Sequence, residues 1–147
     1  MRIFVDSSVL VYAKDSSEGT KQQRALEWVE HLWRSRSGRI SIQVLEEYYL
    51  TVTRKLKPGI DANQARGEVR DLLAWRPLPV DPLLVEKAWA VEELFRLSFW
   101  DALIVSAAKL TDCEYLLTED LQNGQDFDGL TVVDPFDVAP TEIIQSS

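Results

Sequence analysis

A three-layer α/β/α fold around a central, mostly parallel sheet is predicted by the alternation of two kinds of segment in this 147-residue sequence. Short runs that are mostly or wholly apolar, such as residues 3–5 and 130–133, are separated by longer segments with helical periodicity. Continuously apolar strands are typical of parallel sheets that helices cover on both faces. Residues 39–42, 78–80 and 114–117 are further strand candidates, and connections of this length favour right-handed crossovers.

Helices are predicted between these strands from capping residues and apolar spacing. Thr20 with Gln23 forms a capping-box pattern that opens a first helix, which we expect to end at Gly38. Its expected apolar side is made of Ala25, Leu26, Val29, Leu32 and Trp33. The next helix has its apolar side at Val44, Leu45, Tyr48 and Val52 and ends near residues 57–59, which read Lys-Pro-Gly.

Three more helices follow from their first residues. Asp61 with Gln64 opens one that reaches about Trp75, and Asp81 before Pro82 opens another. Ser98 caps the last, which runs to Leu110. Together these elements form one domain over residues 1–135, and residues 136–147 are expected to be a C-terminal tail.

Composition limits the class of protein. Hydrophobic residues make up 46% of the chain and charged residues 27%, as in a soluble globular domain. Cys113 is the single cysteine, so an internal disulfide is impossible and a reducing cytoplasm is the expected location. The N-terminal segment does not resemble a signal peptide, and no apolar run approaches the roughly 20 residues of a membrane helix.

The formal net charge of −8 argues against a generic nucleic-acid binder, because such proteins are usually basic. If the function involves a nucleic acid, the excess of acidic residues must therefore have another role. A carboxylate cluster that binds cations would account for some of them, and a basic protein partner for others.

Acidic residues follow the predicted strands or open the predicted helices. Asp6 follows residues 3–5, Asp120 lies just past residues 115–117, Asp101 is in the first turn after Ser98, and Glu46 and Glu47 open the helix after the second strand. Active sites of open α/β sheets lie beyond the carboxyl ends of the strands, so these acids can converge there. Each acid alone is equally compatible with a helix-dipole or turn-forming role.

Asp6 is the most informative of these acids, because apolar residues flank it on both sides. A carboxylate that is buried there needs a partner or a metal ion. Oxygen ligands without His or Cys select hard ions, which indicates Mg²⁺ or Mn²⁺. Such ions are the usual apparatus of phosphodiester chemistry.

Four segments of the chain resemble, in order, the motifs of the PIN-domain family and its VapC-type toxins. They are IFVDSSVLVY, ISIQVLEEYYLTVTRK, SFWDALIVSAA and YLLTEDLQNG, and they span about residues 1–135. The resemblance implies a PIN-like fold and catalytic, metal-binding roles for Asp6, Glu47, Asp101 and Asp120, with Thr118 as a supporting hydroxyl. Family register selects Glu47 through Gln43 and Tyr48, whereas helical periodicity leaves Glu46 and Glu47 open.

The resemblance also implies an activity and partners. The activity is hydrolysis of RNA phosphodiester bonds by metal-activated water, as the toxin of a type II toxin–antitoxin pair. The implied partners are RNA, a VapB-like antitoxin whose arginine enters the acidic site, and a second copy of the chain. The regions around Trp28 and Trp33 and over residues 89–99 are candidate dimer interfaces. Ser8 departs from the family, which often has Asn at that place.

Other functional classes fit less well. A zinc enzyme lacks ligands, because His31 and Cys113 are each alone of their kind, and a two-histidine ribonuclease is excluded for the same reason. A haloacid-dehalogenase-type phosphatase needs an acid where Ser8 stands, and an adhesion-type metal site does not accept Leu10. No His–Asp pattern supports a serine nucleophile. The remaining alternative is a catalytically inactive PIN-like domain that binds RNA or protein.

Overall fold

The computed structural model describes residues 1–144, and its strands are short. They are β1 (Ile3–Val5), β2 (Gly38–Arg39), β3 (Tyr115–Leu117), β4 (Asp126–Phe127) and β5 (Leu130–Val133). The α-helices are α1 (Ser7–Tyr12), α2 (Thr20–Ser35), α3 (Ile42–Leu50), α4 (Ala62–Leu72), α5 (Pro82–Phe95) and α6 (Phe99–Leu110). A π-helical segment, Thr51–Lys55, extends α3, and 3₁₀ turns lie at Ser16–Glu18, Leu73–Trp75 and Pro140–Glu142.

The strands form one sheet in the order β2-β1-β3-β5-β4. β1 is parallel to both β2 and β3, and β3 is parallel to β5, whereas β4 pairs antiparallel with β5. Helices flank this sheet, and its central strands are buried. The predicted α/β architecture with a mostly parallel sheet is therefore confirmed, and β4 is an antiparallel addition that the sequence pattern did not predict.

The second predicted strand is shorter than expected. Only Gly38 and Arg39 pair with β1, and Ser41 instead caps α3 by accepting a hydrogen bond from the backbone N–H of Val44. With Ser41 as its cap, helix α3 begins at Ile42. The predicted strand at residues 78–80 is likewise reduced to a single parallel bridge between Leu78 and Ser41.

Helix α2 differs from its prediction in its ends and in its buried face. Gly19, not a capping-box side chain, precedes the helix, and Arg36 ends it in the left-handed conformation with φ 57°. Its buried residues are Ala25, Trp28 and Leu32, while Leu26 and Trp33 are exposed. The reason is long-range, because the Trp28 indole N–H donates to the carbonyls of residues 135 and 138. The prediction that Trp28 contributes to a dimer interface is therefore wrong, because its side chain is buried.

The other predicted helix starts are confirmed. Asp61, Asp81 and Ser98 precede α4, α5 and α6, and each side chain accepts a hydrogen bond from a backbone N–H of the first turn. Such caps satisfy amide groups that have no partner inside the helix. Local hydrogen bonding therefore determines where these helices begin.

The proposed boundary after residue 135 remains a prediction. The chain beyond it lies against α2, where Trp28 bonds the carbonyl of Val138, and Ile144 is buried. Residues 145–147 of the predicted tail lie outside the described residues. Within residues 1–144, every helix is too short or too polar to cross a membrane.

Candidate active site

The carboxyl edge of the sheet positions Asp6 beside the segment that follows β3. The backbone N–H of Asp6 donates to the Leu117 carbonyl over 3.1 Å, which extends the β1–β3 pairing by one step. Thr118 in turn donates its N–H to the Val133 carbonyl over 3.1 Å. The residues that directly follow β1 and β3 are therefore neighbours, as the parallel topology requires.

The Asp6 carboxylate is buried, with 7% of the residue exposed, and both of its oxygens are bound. Oδ1 accepts from the backbone N–H of Ser7 at 2.8 Å, and Oδ2 accepts from the Thr118 hydroxyl at 2.8 Å. The same hydroxyl oxygen accepts from the backbone N–H of Asp120 at 3.1 Å. Thr118 thus orients the Asp6 carboxylate and connects it to the backbone of Asp120.

The protonation of Asp6 responds to this environment. Burial, above all, raises the pKa of its carboxyl from 3.8 to about 7. The hydrogen bond from Thr118 acts in the opposite direction, and the negative charges of Asp120 and Glu47 act in the same direction as burial. Within residues 1–144, Asp6 forms no ion pair with a cationic side chain, and it lies within electrostatic reach of two other acids.

Glu47 is joined to the same edge through the first residue of α1. The Ser7 hydroxyl donates to Glu47 Oε2 over 2.7 Å, and Gln43 Nε2 donates to Oε1 over 2.8 Å. Glu47 is half-buried, whereas Glu46 is exposed and its side chain has no hydrogen bond to residues 1–144. The structure therefore directs Glu47 toward Asp6 and Glu46 toward solvent.

Asp101 is less closely tied to these acids. It lies half-buried in the first turn of α6, where its backbone N–H donates to the Ser98 hydroxyl over 3.1 Å. Over residues 1–144 its carboxylate forms neither a hydrogen bond nor an ion pair. The neighbouring Trp100 is 65% exposed. The structure thus links Asp6 to Asp120 through Thr118 and to Glu47 through Ser7, whereas Asp101 has no hydrogen bond or ion pair to these acids within residues 1–144.

Two further features of this edge were not found from sequence. Ser7 was missed although it follows Asp6 directly, because its bond to Glu47 joins residues 40 positions apart. Glu119 was also missed: the Tyr12 hydroxyl donates to its Oε1 over 2.6 Å and Lys21 to its Oε2 over 2.9 Å. Glu119 therefore fixes the segment between Thr118 and Asp120 to α1 and α2.

The donor chemistry of this edge suits a hard divalent cation. All four predicted acids offer oxygen only, and in the described chain no Lys or Arg forms an ion pair with any of them. The hydroxyl oxygen of Ser8, close by in α1, is buried without a hydrogen-bond partner. Nevertheless, no three His, Cys, Asp or Glu side chains of residues 1–144 are grouped closely enough to hold a metal ion. Unneutralised carboxylates repel one another, which opposes such grouping.

Comparisons with known proteins identify the family. The PIN domain model matches residues 3–125. No curated protein matches the chain closely enough to count as a relative.

Solved structures share the fold. A toxin–antitoxin complex from Klebsiella pneumoniae has a TM-score of 0.55 at 21% identity, covering 92% of this chain and 98% of that one. VapBC2 from Rickettsia felis, bound to a DNA fragment from its promoter, has a TM-score of 0.58 at 15% identity, covering 90% and 97%. Mycobacterium tuberculosis VapC20, a toxin that cleaves the sarcin–ricin loop, has a TM-score of 0.53 at 27% identity, covering 78% and 86%.

Proposed function

This chain belongs to the PIN domain family, and from that membership we propose that it is an endoribonuclease dependent on Mg²⁺ or Mn²⁺ and the toxin of a type II toxin–antitoxin pair. The similar solved structures, which are toxins or toxin–antitoxin complexes, support this proposal. The single observation that carries the chemistry is the buried Asp6, which lies beside Asp120 and Glu47, and none of these three acids forms an ion pair with a cationic side chain of residues 1–144.

In this proposal Asp6, Glu47, Asp101 and Asp120 hold one or two divalent ions, directly or through water. A bound ion would lower the pKa of its water and offset the negative charge that builds on the phosphate. Thr118 holds Asp6 through Oδ2, and Ser7 holds Glu47 through Oε2, so both carboxylates are oriented before substrate arrives. Such fixed geometry is what a site needs to stabilise a transition state.

The proposal is tested by cleavage of RNA in the presence and absence of metal. We expect activity with Mg²⁺ or Mn²⁺, loss in EDTA, and recovery when excess metal is added back. Cleavage that continues undiminished in EDTA would overturn the metal mechanism. Asp6→Asn should remove activity while it leaves the fold intact by circular dichroism.

An inactive PIN-like binding module is the second candidate, and one observation favours it. Over residues 1–144, no three potential ligand side chains are grouped around a common point. Calorimetry separates the two functions: a nuclease should bind Mn²⁺ with an affinity that Asp6→Asn reduces, whereas a module should bind RNA or protein without binding metal at this edge.

The partners are also part of the proposal. An antitoxin arginine that pairs with two of the acids would block the site, and the chain's net charge of −8 would speed encounter with a basic partner. Complex affinity should then fall in Asp6→Asn or Asp101→Asn; unchanged affinity in both, at low and high salt, would disprove the inserted arginine. The homodimer would use exposed aromatics such as Trp89 and Trp100, and the expected location is the cytoplasm.

A further inference from the structure

A cavity of about 240 Å³ lies away from the carboxylates. It is lined by Trp33, Arg36, Gly38, Arg39, Trp75 and Arg76, together with Ala74. Gly38 pairs with Ile3, the first residue of β1, whereas Asp6 follows its last residue. At about 3.3 Å per strand residue, the two sites are separated by roughly 10 Å along β1. The cavity is therefore at the opposite edge of the sheet from the carboxylates.

The polar side-chain groups of this cavity are donors. In a protein with net charge −8, the guanidinium groups of Arg36, Arg39 and Arg76 form no ion pair with any acid of residues 1–144. Arg39 is half-buried, and its Nη1 donates to the carbonyls of Arg36 and Gly38 over 3.3 and 2.8 Å. Those bonds orient the group and leave its remaining N–H donors available.

Trp75 also lines the cavity and is 3% exposed. Its indole Nε1 is buried and has no hydrogen-bond partner within residues 1–144. The three guanidinium groups, which form no ion pair within the same residues, offer several N–H donors, and these indicate an anionic ligand with several oxygen acceptors.

Like charges reinforce this interpretation. Burial lowers the pKa of the Arg39 guanidinium, and the positive charges of Arg2 and Arg76 lower it further. Arg39 is thus repelled by the positive charges of Arg2 and Arg76, and an anion would relieve the repulsion. Phosphate is an anion that suits guanidinium groups, because two N–H donors can bind two of its oxygens in parallel.

The aromatic wall of the cavity indicates what is attached to the phosphate. Trp33 is 40% exposed, and it packs at 5.1 Å between ring centroids against the buried Trp75. Gly38 lets this pair lie close to the strand, because a Cβ there would come within 2.9 Å of the Trp75 ring. A rigid, partly exposed indole beside cations is a surface on which a nucleobase can stack.

We propose that this cavity binds a nucleotide, with its phosphate on Arg36, Arg39 and Arg76 and its base against Trp33. The nucleotide is either a free mononucleotide or one residue of an RNA strand, and the RNA form rests on the proposed ribonuclease function.

Binding measurements in EDTA test this site without requiring catalysis. The probes are inorganic phosphate, uridine 5′-monophosphate, a labelled RNA octamer and a glutamate octapeptide. The variants are a double substitution, Arg36→Gln together with Arg76→Gln, and the single substitution Trp33→Ala. Arg34→Gln is the matched control, because Arg34 is an exposed arginine on the same helix that already pairs with Glu30.

We expect the double arginine variant to bind the octamer about tenfold more weakly than wild type. The slope of log affinity against log salt should fall by about 0.7 for each phosphate that the variant no longer neutralises. Trp33→Ala should weaken the mononucleotide and the octamer by about tenfold and leave inorganic phosphate unaffected. Arg34→Gln should match wild type. An octamer that binds more tightly than the mononucleotide identifies RNA as the ligand, and equal affinities identify the free nucleotide.

Three results would overturn the site. The first is that no phosphate probe binds, and the second is that Arg34→Gln and the double variant lose affinity equally. The third is a glutamate octapeptide that binds as tightly as RNA, with an affinity that Trp33→Ala does not change. None of these depends on cleavage. Loss of the nucleotide site alone would therefore leave the ribonuclease proposal standing, and loss of metal-dependent cleavage alone would leave the mononucleotide site standing.

Discussion

Asp6 and Asp101 occupy similar places in the sequence, each at the start of a helix, but their surroundings differ. Asp6 is buried, and backbone and hydroxyl groups bind both of its oxygens. Asp101 is half-buried beside the exposed Trp100, with no side-chain bond to residues 1–144. A strand ladder positions the first acid, whereas the packing of α6 against α5 positions the second. One side of the proposed site is thus organised before any ligand binds.

The largest expected effect is on catalysis, and it tests whether this difference matters for function. Asp6→Asn and Asp101→Asn should each lower kcat at least about 100-fold if both are metal ligands. RNA cleavage under saturating Mg²⁺ measures it, with Glu86→Gln, an exposed acid of α5, as the control. Near-normal activity in Asp101→Asn would restrict the site to Asp6, Asp120 and Glu47.

The adjacent glutamates of α3 offer a matched comparison within one turn. Glu47→Gln should lower kcat about 100-fold, because it removes a carboxylate that Ser7 and Gln43 orient. Glu46→Gln, an equal change of charge at an exposed position, should stay within about twofold of wild type. Steady-state rates on the same RNA measure both effects. A large loss in Glu46→Gln with a small loss in Glu47→Gln would show that the motif register is displaced by one residue.

Stability without metal should separate Asp6 from Asp101 in a pH-dependent way. With the pKa of Asp6 raised to about 7, the folded protein retains a proton that the unfolded chain releases above pH 4. The associated stability is present at low pH and is lost as the pH rises through 7. Asp6→Asn, which stays neutral, should therefore unfold at a higher temperature than wild type at pH 8.

The rise in the Asp6 pKa from 3.8 to about 7 corresponds to a loss of roughly 4 kcal/mol of folding free energy at most. In a protein of this size, that equals about 5–15 °C in melting temperature. Melting curves in EDTA at pH 4 and pH 8 measure the effect, and we expect the two proteins to differ little at pH 4. Asp101→Asn is the control and should have the same melting temperature as wild type at both pH values. A pH-independent gain in Asp6→Asn would contradict the assignment.

The smallest expected effect concerns how firmly the Asp120 segment is held. Tyr12→Phe removes the bond to Glu119, which lies between Thr118 and Asp120. We expect the Mg²⁺ concentration for half-maximal activity to rise about tenfold, with a smaller change in kcat at saturating metal. Tyr49→Phe, which loses an exposed bond from Arg66, is the control. An unchanged metal requirement would mean that Glu119 does not help to position Asp120.

Local features of the sequence predicted much of the fold. The apolar runs identified β1 and β5 to the residue, and Asp61, Asp81 and Ser98 marked three helix starts. These features depend on hydrogen bonds within one helical turn or on a run of apolar residues, so the chain need not be folded for them to be recognised. The placement of Asp6 and Asp120 beyond β1 and β3 followed from parallel topology in the same way.

What the sequence determined by itself, then, is the order of the elements, the family motifs and the strand ends that bear acids. The tertiary structure alone decided which face of α2 is buried, because Trp28 bonds a segment 107 residues away. It also decided that Ser7 bonds Glu47, the acid that the family register selects and that helical periodicity left open beside Glu46. Both contacts join residues that are distant in sequence, and helical periodicity cannot identify such partners.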